Sequence, residues 1–296
     1  MSTEVEALAL ALAELAEAGL DTTDVLATID AALAEDLPGG SVDVTTAATI
    51  PAEAVGEGVF AAREAGVVAG LGVAALVFLR VDPRVEVRDR LADGSRVAAG
   101  DVVMRVGGPT GSLLTAERTA LNLASHLSGV ATATSQWVDA LAGTGARVLD
   151  TRKTLPRLRA LQKYAVRCGG GVNHRMSLSD RAMVKDNHVV AAGGVVPAYE
   201  RVRAAYPGLR VEVEVTDLDQ LGQLLDVGCT EILLDNMDTA TMRAAVEITA
   251  GRATLEASGG LTLDRAREVA ETGVDLISVG ALTHSVKVFD LGLDLT

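Results

Sequence analysis

Residues 211–235 read VEVEVTDLDQLGQLLDVGCTEILLD. Apolar residues alternate with glutamates over 211–215, which predicts a strand. Residues 217–227 carry leucines at helical spacing, and residues 232–235 form a second apolar run that ends in Asp235. A strand, a helix and a second strand in so short a segment indicate a βαβ unit with parallel strands.

The same alternation extends over the second half of the chain. Each predicted strand ends in polar residues or a glycine, and helical patterns separate the strands. The predicted strands are residues 147–150, 182–185, 211–215, 232–235, 254–258 and 276–280. Because the carboxyl ends of parallel strands meet at one face, these polar residues should line the mouth of a closed or nearly closed α/β barrel. A functional site is expected at that mouth.

The first half of the chain follows a different pattern. Residues 42–106 contain short β-like runs separated by turn signals, which predicts a small α+β domain. Residues 115–141 return to helical spacing, with an expected break near Gly129. The expected domains are residues 1–128 for the N-terminal helices and the α+β domain, 129–288 for the barrel and 289–296 for a C-terminal tail.

Acidic residues dominate the N-terminal segment. Twelve aspartates and glutamates precede Arg63, the first basic residue of the chain. The pattern predicts one helix over residues 3–18 and a second that runs from an N-cap at Thr22 or Thr23 to Leu37. A segment without basic residues lacks the positive region of a secretory signal and the arginines of a transit peptide. A cytoplasmic location is therefore expected.

Composition excludes several classes of protein. The net charge is −14, with 26 basic against 40 acidic residues, and only seven residues are aromatic, which argues against a nucleic-acid partner. Two cysteines cannot build a disulfide framework or a four-cysteine zinc site. The apolar run over residues 65–79 is shorter than the about 20 residues of a membrane helix, so no membrane partner is expected.

One segment carries a net positive charge, although the chain as a whole is negative. Residues 150–188 hold nine lysines and arginines but three aspartates, including three of the four lysines of the chain. Such a concentration of positive charge repels itself unless an anion rich in phosphates or carboxylates completes it. Anion binding is predicted for the residues at strand ends or in the glycine-rich loop, which are Arg152, Lys153, Arg175 and Lys185. For Arg157, Arg159, Lys163 and Arg167, at helical spacings, a solvated helix face is an equal alternative.

Three further groups of residues lie at the predicted mouth. Gly169 to Gly171 precede His174 and Arg175, and glycines let a backbone approach a ligand closely. Glu214 and Asp235 end consecutive strands, where carboxylates suit ribose hydroxyls, Mg²⁺ or a developing cation; Glu212 shares their face and is the alternative to Glu214. Phosphate binding is predicted at the last two strand ends, Ser258-Gly259-Gly260 and Gly280-Ala281-Leu282.

Taken together in their order, these residues resemble the quinolinate phosphoribosyltransferases, which are type II phosphoribosyltransferases. The resemblance runs over about residues 115–285 and is compatible with Glu117 to Asn122 in the first half. The matching motifs are Asp150 to Thr154, Lys163 to Val166, Gly169 to Arg175, Lys185 to His188, Glu212 to Val215, Leu234 to Met237, Glu256 to Gly260 and Ser278 to Leu282. Residues 1–20 look like an extension that lies outside the resemblance.

The resemblance implies an N-terminal α/β sandwich, an incomplete α/β barrel and a C-terminal tail that rejoins the first domain. It also implies a homodimer in which Arg118 reaches the site of the neighbouring subunit. The implied reaction converts quinolinate and phosphoribosyl pyrophosphate (PRPP) to nicotinate mononucleotide, pyrophosphate and CO₂ with Mg²⁺ and without an organic cofactor.

The resemblance further implies a role for each site residue. Those expected to hold quinolinate are Arg118, Thr151, Arg152, His174, Arg175 and Lys185. Those expected to hold PRPP are Lys153, Glu214, Asp235, Ser258, Gly259, Gly260, Val279, Gly280 and Ala281. Lys153, Lys185, Glu214 and Asp235 are expected to take part in catalysis, with Glu214 and Asp235 as candidate Mg²⁺ ligands.

Two alternative functions remain beside this one. A related phosphoribosyltransferase on the same scaffold could use another acceptor, such as nicotinate, without decarboxylation. A protein that binds anions without catalysis is a second alternative, but the presence of Lys153, Glu214 and Asp235 disfavours it. A cation set large enough for two carboxylates favours quinolinate.

Overall fold

A computed structural model describes residues 3–296, with side chains from Glu6 onward. Residues 1 and 2 of the expected N-terminal domain lie outside the described part. The chain divides into two compact units. One unit comprises residues up to 135, 155–170 and 285–296, and the other comprises residues 136–154 and 171–284. The units interleave along the chain, whereas the expected domains are continuous, so the expected boundaries stay predictions.

The first unit combines helices with small antiparallel sheets. Its strands are β1 (Val55–Ala62), β2 (Gly66–Val67), β3 (Glu86–Arg88), β4 (Arg96–Val97), β5 (Val102–Pro109) and the C-terminal strand, numbered β12 (Leu291–Leu295). Its main sheet has the order β12-β1-β5-β3, and β2 pairs with β4. The alternating burial of β1 and the fully buried Phe60 and Phe78 place a core beneath this sheet. The α/β sandwich expected for this half is confirmed.

The helices of the first unit follow the apolar spacing of the sequence, with two corrections. They are α1 (Thr3–Glu17), α2 (Thr22–Asp36), α3 (Val44–Thr49), α4 (Leu71–Val81), α5 (Thr110–Ala140) and α6 (Arg159–Cys168). The expected N-cap of α2 is wrong, because the side chain of Asp21 accepts the N–H groups of Thr23 and Asp24. The expected break at Gly129 is also wrong. A Cβ at Gly129 would lie 2.3 Å from the carbonyl oxygen of Lys287, so this glycine allows close backbone packing within a continuous helix.

A six-stranded parallel sheet forms the second unit together with the helices that connect its strands. The strands are β6 (Arg147–Leu149), β7 (Ala182–Val184), β8 (Val211–Val215), β9 (Glu231–Asp235), β10 (Thr254–Ser258) and β11 (Leu276–Ser278). Their order is β6-β11-β10-β9-β8-β7, so the first two strands in sequence occupy opposite edges. No ladder joins β6 to β7 within the described residues, and the barrel is incomplete as expected.

The helices of this unit lie between successive strands. They are α7 (Asp186–Ala192), α8 (Val195–Ala205), α9 (Leu218–Asp226), α10 (Thr239–Thr249), α11 (Ala266–Ala270) and α12 (Ala281–His284). In α9, Leu221, Leu224 and Leu225 are buried, which is the amphipathic pattern of a helix packed on a sheet. Across the described part of the chain, no helix is both long and apolar enough to cross a membrane.

Sheet register decides which side chains share the interior. Glu214 pairs with Leu233 across β8 and β9, and Leu233 pairs with Glu256 across β9 and β10. Since successive side chains alternate between faces, Glu212 shares the face of Glu214, and Asp235 shares that of Leu233. The interior of this unit therefore contains several carboxylates, some at the strand ends and some below them.

Candidate active site

A cavity of about 660 Å³ opens at the carboxyl ends of the parallel strands. It gathers residues from the other five strands of the sheet and from the segment that follows β6, and all of them belong to the second unit. The predicted site residues that line it are Thr151, Arg152, Lys153, His174, Arg175, Lys185, Glu214, Asp235, Ser258, Gly259 and Gly260. The structure therefore brings these predicted residues together at one mouth, and their role as a functional site stays a prediction.

Arginines from two loops line the cavity. Arg152 follows β6, and Arg175 follows the glycine-rich segment that ends at Gly171. Burial lowers the pKa of Arg175, and the positive charge of Arg152 lowers it further. The Nε atom of Arg152 is buried and has no hydrogen-bond partner, and no carboxylate of residues 6–296 forms an ion pair with Arg152. Two guanidinium groups without a shared carboxylate favour an anionic ligand.

Lysines and carboxylates complete the edge of the cavity. Lys185 Nζ donates to Glu214 Oε2 at 2.9 Å. Asp235 accepts a hydrogen bond from Asn236 Nδ2 at 2.8 Å. We call Arg152, Lys153, Arg175, Lys185, Glu214 and Asp235 the rim cluster. It contains four cations and two carboxylates, and oxygen ligands of this type suit Mg²⁺.

Glycines bring the backbone close to other groups on the opposite side of the cavity. Gly259 has φ of +100°, and a Cβ there would lie 2.2 Å from Asn236 Oδ1. A Cβ at Gly280 would lie 2.8 Å from Lys153 Cδ, so the Lys153 stem passes directly over this glycine. Thr283 Oγ1 also donates to the carbonyl of Lys153 at 2.7 Å. The predicted phosphate segments at Gly259 and Gly280 are therefore next to rim residues.

Beneath the rim lies a second set of charged side chains, which we call the buried network: His174, Arg181, Glu212, Glu231 and Glu256. The exposed fractions are 7% for His174, 8% for Arg181, 1% for Glu212 and 2% for Glu256. Arg181 Nη2 donates to Glu212 Oε1 at 2.9 Å and also pairs with Glu231. Arg210 Nε forms an ion pair with the other carboxylate oxygen of Glu231 at 2.6 Å. Cations and carboxylates therefore compensate each other in this network.

The pKa values of two buried glutamates in the network shift in opposite directions. Burial raises the pKa of Glu212, but the hydrogen bond from His174 and the charge of Arg181 outweigh it, so the pKa lies below its usual range. Burial raises the pKa of Glu256 well above its usual range, and the charge of Glu212 raises it further. The two pKa values therefore shift in opposite directions, so a proton in this network favours Glu256 over Glu212.

His174, Glu212 and Glu256 could together offer ligand atoms to a metal ion, since these atoms lie within 4.8 Å of one another. His174 Nε2 is 2.8 Å from Glu212 Oε2 and 3.5 Å from Glu256 Oε2. The charge of Glu212 is, however, already balanced by Arg181. Glu256 Oε2 is buried without a hydrogen-bond partner, but the balanced charge of Glu212 disfavours a cation at the triad and leaves the rim carboxylates as the better candidates for Mg²⁺.

The structure distinguishes alternatives that the sequence leaves open. Glu214 lines the cavity, whereas Glu212 is 1% exposed and lies beneath it. The four basic residues at helical spacings belong to the first unit and do not line this cavity: Arg157, Arg159, Lys163 and Arg167. Lys163 is completely buried, so a solvated helix face is wrong for it, and Arg167 donates to the carbonyl of Ala18.

A few predicted residues lie elsewhere. Arg118 is exposed on α5 in the first unit. Val279 is buried, and Ala281 begins α12 next to Gly280.

Arg181 and Glu256 were missed as parts of the site, although both stand in or beside quoted motifs. The only available signal was a charged residue on an otherwise apolar strand or at its start, and that pattern does not reveal its partners.

Comparison with known proteins agrees with this geometry. Residues 43–128 match the family model "Quinolinate phosphoribosyl transferase, N-terminal domain", and residues 130–294 match the corresponding C-terminal domain. A nicotinate-nucleotide pyrophosphorylase [carboxylating] of Mycobacterium leprae is 53% identical over 273 residues, which cover 90% of this chain and 96% of the relative.

Solved structures show the same fold. The crystal structure of NadC from Streptococcus pyogenes superposes with a TM-score of 0.90 at 40% identity and covers 94% of this chain and 98% of the other. A nicotinate-nucleotide pyrophosphorylase from Francisella tularensis gives a TM-score of 0.90 at 36% identity, with the same coverage of both chains. From the two matched domains and these identities, the chain belongs to the quinolinate phosphoribosyltransferase family.

Proposed function

We propose that this chain transfers the phosphoribosyl group of PRPP to quinolinate with loss of CO₂, giving nicotinate mononucleotide and pyrophosphate in NAD synthesis. The observation that carries the proposal is that Arg152 and Arg175 both line the cavity, while neither forms an ion pair with a carboxylate of residues 6–296. A dicarboxylate such as quinolinate supplies the missing negative charge. Each charge-assisted hydrogen bond to a desolvated anion contributes about 1.5–3 kcal/mol.

Different residues of the cavity would bind the two substrates. Arg152, Arg175 and Lys185 would bind the carboxylates of quinolinate, with Thr151 and His174 beside them. Lys153 would lie near the pyrophosphate, because its stem crosses Gly280. The segments 258–260 and 279–281 would bind the 5′-phosphate through backbone N–H groups. Bringing two dense anions together requires this concentration of positive charge.

Catalysis then follows from positioning and charge. Glu214 and Asp235 would bind ribose hydroxyls and stabilise the positive charge that grows at the anomeric carbon as pyrophosphate leaves. These oxygen donors also fit Mg²⁺, which would neutralise the pyrophosphate oxygens when bound with PRPP. After the ring nitrogen is alkylated, its positive charge stabilises the electron pair left at the adjacent ring carbon when CO₂ departs, and that carbon then takes a proton from solvent. The neighbouring cations hold the substrate in place through both steps.

We further propose that the active form is a homodimer in which Arg118 of the partner subunit completes the quinolinate site. The exposure of Arg118 supports this role, because an exposed arginine is free to contact a second chain. The proposed functional domains are residues 1–128, 129–288 and the tail 289–296. The cytoplasmic location expected from the sequence stays a prediction.

A direct assay tests the proposed reaction. Purified protein with Mg²⁺ and PRPP is offered quinolinate or nicotinate separately, and nucleotide and CO₂ are both measured. Equal amounts of nucleotide and CO₂ from quinolinate alone are expected. Turnover of nicotinate alone would assign a different acceptor, and binding of quinolinate without turnover would favour a protein that binds anions without catalysis.

A further inference from the structure

We propose that Glu212 and Arg181 are positioning residues that fix the direction of Arg175, acting through His174 in a closed ring of hydrogen bonds. The proposal rests on the proposed function, in which Arg175 binds a carboxylate of quinolinate. Glu212 and Arg181 lie below the cavity and do not line it. Their expected effect is therefore on the orientation of a ligand and not on direct contact with it.

The first half of the ring runs through His174. The backbone N–H of Arg175 donates to His174 Nδ1 at 2.7 Å. A backbone N–H can only donate, so Nδ1 is an acceptor and the ring proton lies on Nε2. His174 Nε2 then donates to Glu212 Oε2 at 2.8 Å. The imidazole therefore connects the backbone of Arg175 to a buried carboxylate, with both ring nitrogens engaged by protein atoms.

Arg181 forms the second half of the ring. Its guanidinium Nη2 donates to Glu212 Oε1 at 2.9 Å. Its own carbonyl oxygen accepts a hydrogen bond from Arg175 Nη1 at 3.1 Å. Arg175 is thus held at two points, its backbone through His174 and its guanidinium through Arg181. Glu212 joins these two supports because each of its oxygens accepts from one of them.

Burial makes this ring stiff. His174, Arg181 and Glu212 are each less than a tenth exposed, so water does not compete for their hydrogen bonds. Asp150, which is fully buried, also accepts from the backbone N–H of His174 at 2.8 Å. A side chain held in advance in its binding orientation loses less conformational freedom when the ligand arrives. The ring should therefore strengthen quinolinate binding without touching quinolinate.

The orientation of a guanidinium group decides how well it binds a carboxylate. Two parallel N–H groups bind both carboxylate oxygens only when the two planes are aligned. Arg175 uses Nη1 to contact Arg181 and directs the rest of its guanidinium to the cavity that it lines. Loss of the ring would leave Arg175 present but free to rotate. The resulting defect should concern the dicarboxylate and spare PRPP, because none of the proposed PRPP ligands belongs to the ring.

Glu212→Gln tests the ring, because glutamine keeps the size of the side chain but has one acceptor oxygen for two donors. We expect the Kd for quinolinate, measured by calorimetry on the whole protein, to rise by about tenfold or more, as expected for about 1.4 kcal/mol. The Kd for PRPP with Mg²⁺ should change by less than about twofold. Glu231→Gln is the matched control, since Glu231 also pairs with Arg181 but lies outside the ring. Its effect on quinolinate should be smaller.

A double-mutant cycle separates positioning from general damage. If Glu212 acts through Arg175, Glu212→Gln should have no further effect on quinolinate binding in an Arg175→Ala background. Equal effects in both backgrounds, or equal losses for quinolinate and PRPP, would overturn the proposal. Arg181→Lys keeps the charge but loses the planar fork, and it should give the same selective loss. This second variant decides the outcome if Glu212→Gln does not fold.

The same cycle distinguishes the positioning role from the proposed function. Unchanged quinolinate binding in Arg175→Ala alone would contradict the role proposed for Arg175 itself. Weak binding in Arg175→Ala together with unchanged binding in Glu212→Gln would leave the proposed function intact and exclude the ring.

Discussion

The rim cluster and the buried network use the same kinds of side chain in opposite ways. In the buried network, Arg181 is held between Glu212 and Glu231, and burial raises the pKa of Glu256, which favours its uncharged form; the charges are thus compensated within the protein. At the rim, Arg152 and Arg175 line the cavity, and neither forms an ion pair with a carboxylate of residues 6–296. Charges that balance each other hold a structure in place, whereas unbalanced charges at a cavity favour a ligand of opposite sign.

The difference follows from position along the strands. Glu212 and Glu214 are two residues apart on β8 and face the same side, but one lies beneath the cavity and the other lines it. One step of the alternation therefore separates a residue that supports the site from one that faces its substrates. The following experiments test this division between rim and network.

Removal of a rim cation should have the largest effect. Arg175→Ala should lower kcat/KM for quinolinate by about 100-fold or more, because at least one charge-assisted contact worth about 1.5–3 kcal/mol is lost. Steady-state kinetics with circular dichroism checks activity and folding together. Arg243→Ala, an exposed arginine on α10, is the control and should leave both unchanged. An unchanged kcat/KM in Arg175→Ala would remove Arg175 from the proposed site.

The proposed dimer allows a test of the rim across two subunits. Arg118→Ala and Lys185→Ala homodimers should each be inactive. A heterodimer of the two should recover about half of the wild-type activity, because one of its two sites carries neither change. Purified heterodimers with two different affinity tags provide the measurement. If activity is absent in such heterodimers, Arg118 does not act in the site of the neighbouring subunit.

Gly259, which lines the cavity, should tolerate substitution less well than its neighbour Gly260. At Gly259 a Cβ would collide with Asn236, whereas at Gly260 it would meet open space, although both have positive φ. Gly259→Ala should destabilise the protein by about 1–3 kcal/mol and raise the KM for PRPP, and Gly260→Ala should do less of both. Denaturant unfolding and PRPP titrations compare the pair. Equal effects would mean that positive φ alone, and not the contact with Asn236, restricts the loop.

The smallest effect should come from Glu256, the glutamate of the buried network whose pKa is raised. Burial holds the pKa of Glu256 above the usual value of 4.5, so the unfolded chain releases this proton at a lower pH than the folded protein does. The stability contributed by Glu256 is thus complete below pH 4.5 and falls as the pH rises towards its folded pKa. The fall is at most about 1.4 kcal/mol per pH unit for one proton.

Glu256→Gln removes the carboxyl group that binds and releases this proton. The free energy of unfolding of Glu256→Gln relative to wild type should therefore increase between pH 5.5 and pH 8. Chemical unfolding at several pH values measures the difference. Glu271→Gln, at an exposed position, should show no such trend. A difference that stays constant with pH would mean that Glu256 is ionised in the folded protein.

Much of this protein was determined by local sequence pattern. The alternation of strands and helices predicts the parallel sheet, because the periods of two and of 3.6 residues are set by backbone geometry within each element. It also predicts that Arg152, Lys185, Glu214 and Asp235 share one mouth, since the carboxyl ends of parallel strands meet on one side. The order of the motifs led to the family, and the matched domains confirm it.

Only the tertiary structure decided which charges are partnered. Arg181 precedes β7, Glu212 lies on β8 and Glu231 begins β9, so their contacts depend on the order and register of three strands. In the same way, Gly129 allows the carbonyl of Lys287 to pack closely, although the two residues are far apart in sequence. Local periodicity fixes the face on which a side chain lies. It does not fix the partner across the sheet, because that partner is set by long-range packing.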